Sequence, residues 1–163
     1  MGYSVNRIIT KDQLDELRDF ESKIPWDKTE NYYNLYALYK YNQRGPRWLR
    51  SSLEEYYNKK IHVSYFLKYV TGSYTIAHRD DTRVSDSTAV TFIKTTGLVG
   101  GESIIYESVP NKKDKKDHWT KPVVVPNLGP GKTLLYDTAM THSVAKVHRG
   151  ERTVHICWFK RKD

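Results

Sequence analysis

Apolar and polar positions follow two different periods along this chain, and the change of period falls near residue 61. Between residues 11 and 24, Leu14, Leu17, Phe20 and Ile24 recur at the spacing of one helical face. Thr10 with Asp12 and Gln13 behind it supplies N-cap chemistry, and Pro25 closes the segment. The spacing predicts an amphipathic helix over 11–24 whose apolar stripe packs on a sheet. After Gly45-Pro46, Leu49, Leu53 and Tyr56 or Tyr57 repeat the helical spacing with Glu54 and Glu55 between them, which predicts a second helix over 47–60. Between the two lies Tyr32 to Tyr41, carrying five tyrosines in ten residues. Tyr32, Tyr36 and Tyr39 share a helical face, but the aromatic richness permits a strand equally, so periodicity leaves both open. Its rings serve either as packing with a wet hydroxyl edge or as a substrate platform.

From residue 61 the period shortens to two. Segments 61–70, 88–94, 103–107, 121–125, 132–136, 142–147 and 152–160 are β-branched or aromatic and are separated by Gly, Pro, Asn and Asp. Short strands without intervening helices predict an antiparallel sandwich or barrel of the jelly-roll kind. The expected fold is mainly β in an α+β arrangement, with two N-terminal helices packed on one sheet. A single domain spans 1–163, with residues 1–60 as helical support and 61–160 as the core. The lysine-rich run Asn111 to Asp117 reads as an exposed connection.

Composition narrows the classes. A chain of 163 residues with 13 tyrosines and 4 tryptophans suits one β-rich domain with little room for a second substrate-binding module. No apolar run is long enough to cross a membrane as a helix, and the N-terminus lacks the apolar core of a secretory signal. A soluble, cytoplasmic protein is expected. The single cysteine, Cys157, excludes an internal disulfide and a zinc finger. A net charge of +8 and a pI near 9.4 point to an anionic partner, either an acidic peptide or a nucleic acid, and Lys112 to Lys116 belongs to that argument.

Candidate chemistry centres on Tyr69 to Asp80. Two residues apart on a strand share a face, so His78 and Asp80 direct an imidazole and a carboxylate into one space. The pair alone is common by chance, and two later residues give it weight: His142 at the start of a subsequent strand, and Arg152 ten residues after it, beyond Gly150. By the same alternation Arg152, Val154, Ile156 and Trp158 share one face, and Thr153, His155 and Cys157 the other. Arg152 therefore heads an inward apolar stripe. Parity also places Tyr74 and Ile76 with His78 and Asp80, leaving Arg79 and Asp81 opposite, which selects Asp80 over Asp81. The remaining histidines, His62, His118, His148 and His155, lack such a setting.

This order of residues resembles the iron(II)- and 2-oxoglutarate-dependent dioxygenases, and most closely their prolyl 4-hydroxylase-like branch. Tyr69, Gly72 and Tyr74 ahead of His78-x-Asp80 look like that branch's lead-in, Gly100-Gly101-Glu102 like its turn, and Gly129-Pro-Gly131 before Leu134-Leu-Tyr136 like its approach to the distal histidine. Trp158, six residues after Arg152, matches in kind and spacing. The resemblance covers residues 61–160 and implies a double-stranded β-helix with His78, Asp80 and His142 as ligands of Fe(II). Two imidazoles and one carboxylate on one face of an octahedral ion leave the other face free. The resemblance assigns two of those positions to 2-oxoglutarate and one to O2, with ascorbate as a possible reductant. Arg152 would hold the far carboxylate of 2-oxoglutarate bidentately. Tyr69, Tyr74, Val144 and Trp158 would line the cosubstrate. For Tyr69 to point inward, a bulge near Gly72 is required.

The expected outcome is hydroxylation of an unactivated C–H bond, with peptidyl proline as the leading target and succinate and CO2 as coproducts. A carboxylate at position 80 agrees with hydroxylation, since halogenating relatives carry a small residue there. Two alternatives remain at this level: the same chemistry on a nucleic-acid base, and a non-catalytic, cupin-like metal-binding module.

Overall fold

The computed structural model describes residues 3–29, 35–110 and 117–162. Along the chain run β1 (Tyr3–Arg7), α1 (Lys11–Ser22), β2 (Asp27–Lys28), β3 (Leu35–Tyr41), α2 (Arg47–Tyr57), β4 (Ile61–His78) and β5 (Ser85–Lys94). They are followed by β6 (Val99–Gly100), β7 (Ser103–Pro110), β8 (Asp117–Val125), β9 (Lys132–Asp137), β10 (Thr141–Val144), β11 (Val147–Arg149) and β12 (Arg152–Lys160).

Helix α1 begins where its cap chemistry dictates. The Thr10 hydroxyl accepts from the Gln13 N–H at 3.1 Å and the Gln13 side chain accepts from the Thr10 N–H at 2.9 Å, a reciprocal box. Helix α2 starts behind Pro46 and stops at Asn58, which adopts the left-handed conformation at φ 51°. Leu14, Leu17, Leu49 and Leu53 from these helices are buried in one cluster with Phe66, Ala89, Ile93, Cys157 and Phe159 from β4, β5 and β12.

Strand order in the main sheet is β1-β9-β5-β12-β4-β10-β7-β8, with β3 pairing with the outer side of β4 and β2 with β3. Every pairing is antiparallel. The sheet curls over itself, because Leu67, Val90, Phe92, Leu134, Val154 and Ile156 from one half meet Ile105, Val125 and Val144 from the other in a second buried cluster. This is a mostly β, jelly-roll architecture with two helices.

Three strands fall within the first sixty residues, where a helical support is expected from the sequence. β1 and β2 are short edge strands whose signal is too brief to show a period. β3 settles the choice left open for 35–41 in favour of a strand, because it pairs along an edge of β4 that a helix there would leave without backbone partners. Tyr32, Tyr33 and the lysine run 112–116 lie outside the described residues.

Strand β12 is covered on both sides, and its alternation sorts residues between the two clusters. Val154 and Ile156 enter the inner one, while His155, with no exposed surface, faces the helical side. The ring of His155 meets that of Phe66 edge-on at 4.9 Å, and neither ring nitrogen has a hydrogen-bond partner. Burial lowers its pKa to about 4. The unfolded chain, with a histidine pKa of about 6.5, takes up this proton first as pH falls. The contribution of His155 to stability is therefore complete above pH 6.5 and drains away toward pH 4. A shift of this size corresponds to about 3 kcal/mol. Denaturant midpoints followed by circular dichroism at several pH values are expected to fall more steeply in this window for the wild type than for His155→Leu; parallel curves would contradict the assignment.

Candidate metal centre

Strand β4 carries the site and is irregular in the places that matter. Tyr69 and Thr75 both point into the barrel, and the parity changes between Thr75 and His78. Here Val144 pairs with Thr75 and His142 with His78, so β4 contains one residue more than β10 over the same stretch. The Thr75 hydroxyl accepts from the Val144 N–H at 2.8 Å and pins that bulge. Gly72, at φ 92°, and Ser73 form a separate excursion of β4 against β3, where the Ser73 hydroxyl donates to the Ala37 carbonyl at 2.6 Å.

The bulge corrects one sequence expectation. Tyr74 does not share a face with His78 and Asp80; its ring stacks on Tyr36 at 4.6 Å and 2° and borders an outer groove with Tyr106 and Lys146. Ile76, given the same parity, is 44% exposed. Thr75 takes the inward position instead. Strict alternation fails here because the extra residue inverts every side chain beyond it.

His78 and His142 are directly opposed on neighbouring strands, and their ring centroids stand 4.3 Å apart. Asp80 follows β4 by two residues and comes between them: Oδ1 lies 3.6 Å from His78 Nε2 and Oδ2 lies 3.5 Å from His142 Nε2. One ligand atom from each residue falls within a 4.8 Å group. Ligand atoms at right angles and about 2.1 Å from one octahedral ion are about 3.0 Å apart, so the two Asp80–histidine separations of 3.6 and 3.5 Å would shorten around a cation.

Backbone carbonyls settle which nitrogen is free. His78 Nδ1 is 2.7 Å from the Ile76 carbonyl and His142 Nδ1 is 3.0 Å from that of Met140. A carbonyl can only accept, so Nδ1–H donates in both rings and each neutral imidazole turns its Nε2 lone pair toward Asp80. Burial works against the charged form of His78, but the Asp80 carboxylate and the Ile76 carbonyl outweigh it and raise the pKa. For His142 burial dominates and lowers it, with the neighbouring His78 adding to the effect. Asp81, by contrast, turns away and is forked by Arg83 at 2.8 and 2.9 Å, which holds its pKa near 2.

These side chains close one end of a cavity of about 60 Å³, lined also by Tyr65, Leu67, Tyr69, Val90, Tyr136, Val144, Ile156 and Trp158. At about 10–15 Å³ per water, it holds the equivalent of four to six waters, the scale of a small organic acid. Arg152 is at the other end and is 2% exposed. Its Nη1 donates to the Gly101 carbonyl at 2.9 Å and its Nη2 to the Ser103 hydroxyl at 3.0 Å, while Nε has no partner. The guanidinium carbon lies 4.9 Å from the Tyr69 ring centroid and 5.0 Å from that of Phe92. Among the described residues no carboxylate is within ion-pair distance of it.

Tyr69, Val144, Trp158 and Arg152 thus line the cavity that holds the three candidate ligands, and Tyr74 is excluded from it. Sequence reasoning did not single out Tyr65, Tyr136, Thr75 or Ser103. The Tyr136 ring lies 4.7 Å from that of His142, and burial raises the pKa of the Tyr65, Tyr69 and Tyr136 hydroxyls, which remain protonated. Alternation back from Tyr69 through Leu67 would have found Tyr65.

No protein-family model and no curated protein matches the sequence. The fold has clear counterparts among solved 2OG-Fe(II) oxygenases, prolyl hydroxylases among them. A 2OG-Fe(II) oxygenase family oxidoreductase from Burkholderia pseudomallei aligns over 99% of this chain and 86% of its own, with a TM-score of 0.70 at 13% identity. A prolyl hydroxylase from Trichoplax adhaerens, in complex with a peptide fragment of the hypoxia inducible factor oxygen degradation domain, aligns over 97% and 83% with a TM-score of 0.69 at 14% identity. The non-heme, α-ketoglutarate-dependent carbocyclase SnoK from nogalamycin biosynthesis gives 99%, 80%, 0.73 and 12%. The likeness is one of fold. Among the described residues, no helix is long and apolar enough to cross a membrane.

A cation buried without a counter-ion costs stability that its hydrogen bonds only partly recover. Arg152→Met is therefore expected to raise the unfolding free energy of the ligand-free protein, measured by urea denaturation, by about 1–2 kcal/mol. An unfolding free energy lowered by that amount would show that the arginine is held for structure alone.

Proposed function

We propose that this protein is an iron(II)- and 2-oxoglutarate-dependent dioxygenase that hydroxylates an unactivated C–H bond, with a peptidyl proline as target. The observation that carries this reading is Arg152: a buried guanidinium without a carboxylate partner among the described residues, at one end of a cavity whose other end is His78, Asp80 and His142. A small dicarboxylate spanning the cavity supplies the missing counter-ion and brings its keto-acid end to the three ligands. A cupin-like structural metal site has no use for the arginine.

The donor set fits ferrous iron. Two Nε2 lone pairs and one carboxylate form a single-faced triad, and the Nδ1–H bonds to Ile76 and Met140 fix both tautomers before any ion arrives. When bound, iron with 2-oxoglutarate and O2 supplies the oxidising power, yielding succinate and CO2. The chain itself does the positioning. Arg152 anchors the cosubstrate, and Tyr69 stacks on the guanidinium. Val144 and Ile156 exclude water, while Trp158 and Tyr65 border the same space. The peptide target is supported by the fold shared with the peptide-bound prolyl hydroxylase. The nucleic-acid alternative rested on net charge and on a lysine run outside the described residues.

Iron-loaded protein is expected to convert 2-oxoglutarate to succinate, with proline peptides increasing the rate. Asp80→Ala and His142→Ala should abolish turnover, and Arg152→Leu should raise the 2-oxoglutarate KM at least tenfold with a smaller change in kcat. Absence of succinate from iron-loaded wild-type protein, coupled or uncoupled, would sink this reading.

A further inference from the structure

Lys40 is a second cation near the cavity, and nothing in the chemistry above uses it. It lies on β3 directly opposite Leu67 of β4, and Leu67 lines the cavity. Side chains opposed across an antiparallel pair share a face, so Lys40 rises from the inner face of the sheet. Its ammonium stands 4.5 Å above the centroid of the Tyr65 ring, another wall of the cavity. Tyr65 is close enough to Asp80 for that carboxylate to help raise its pKa. Lys40 is therefore one aromatic ring removed from the candidate metal centre.

The ammonium is half-buried, and among the described residues it has neither a hydrogen-bond acceptor nor an ion-pair partner. Asp27 is its cross-strand neighbour on the other side, yet the two form no ion pair. An exposed lysine without a partner is ordinary, because water solvates it. A half-buried one that passes over an available carboxylate and rests on a ring is oriented but not neutralised. Burial already lowers its pKa, as expected for an ammonium whose lost hydration has not been replaced. A carboxylate arriving with the substrate would replace it.

We propose that Lys40 is an anion subsite that takes a carboxylate of the peptide substrate close to the residue being oxidised, so that the preferred substrate is an acidic-flanked peptide. This rests on the oxygenase reading above and adds a substrate class to it. The Tyr65 ring beneath fixes the height of the ammonium, and the apolar wall at Leu67 keeps competing water off one side, which strengthens a charge-assisted bond.

The test uses matched proline pentapeptides carrying glutamate or glutamine one or two positions from the proline on either side. Binding is measured by fluorescence anisotropy of labelled peptides with 2-oxoglutarate and redox-inactive zinc in place of iron, and turnover by succinate formation with iron. One of the glutamate peptides is expected to bind about tenfold more tightly than its glutamine twin, and its kcat/KM should exceed the twin's by a similar factor. In Lys40→Gln that ratio should fall to about one, and in Lys40→Glu it should invert. Because each ratio is internal to one protein, partial misfolding does not produce it. Equal binding of all pairs by the wild type, a ratio unchanged in Lys40→Gln, or succinate formation with no peptide bound or stimulating it would each overturn the subsite. Absence of succinate under every condition would overturn the oxygenase reading itself.

Discussion

A guanidinium inside a β-barrel is the constraint around which the rest of this protein is arranged. Arg152 is almost fully buried, and its fork is half spent on the Gly101 carbonyl and the Ser103 hydroxyl. Tyr69 and Phe92 sandwich its charged carbon from strands on either side of β12. That environment orients the charge without cancelling it. The uncompensated part would be available to an anion entering the cavity, so that binding energy which would otherwise appear as stability would go to such a ligand. Water outside the barrel would screen the same charge and make it unselective.

At the opposite end, strand geometry takes over from charge. A cross-strand pair sets two imidazoles 4.3 Å apart, and an aspartate two residues past the strand end lies between them. Each ring is locked through the carbonyl two residues behind it, so the orientation is built into the same short stretch that supplies the ligand. The bulge between Thr75 and His78 lets Tyr69, Thr75 and His78 face one cavity although their numbering forbids it under strict alternation. Without that extra residue, either the metal end or the arginine end of β4 would turn outward.

The helical side gives this inner cavity a rigid back. Phe66, Ala89, Ile93, Cys157 and Phe159 are buried against α1 and α2, leaving their strand neighbours Leu67, Val90, Phe92, Ile156 and Trp158 for the interior. Strands covered on both faces have little freedom to slip, since a one-residue shift would exchange the two clusters. Precision at the site thus derives partly from leucines that never approach it.

Helix α1, the strand series after residue 61 and the candidate residues His78, Asp80, His142 and Arg152 were legible in the sequence, because each is set by a local rule: capping, alternation or motif spacing. The face assignment of β12 was legible for the same reason. Tyr74 was misread, and Thr75, Tyr65 and Tyr136 were overlooked, because a bulge and a cross-sheet approach depend on partners distant in sequence. The strand at 35–41 was undecidable for an equal cause: its rings fit either period, and only pairing with β4 chooses between them. Sequence alone determined which groups could do chemistry. Tertiary structure decided which of them meet, because curling one sheet over itself brings β4, β10 and β12 around a single cavity that no local pattern encodes.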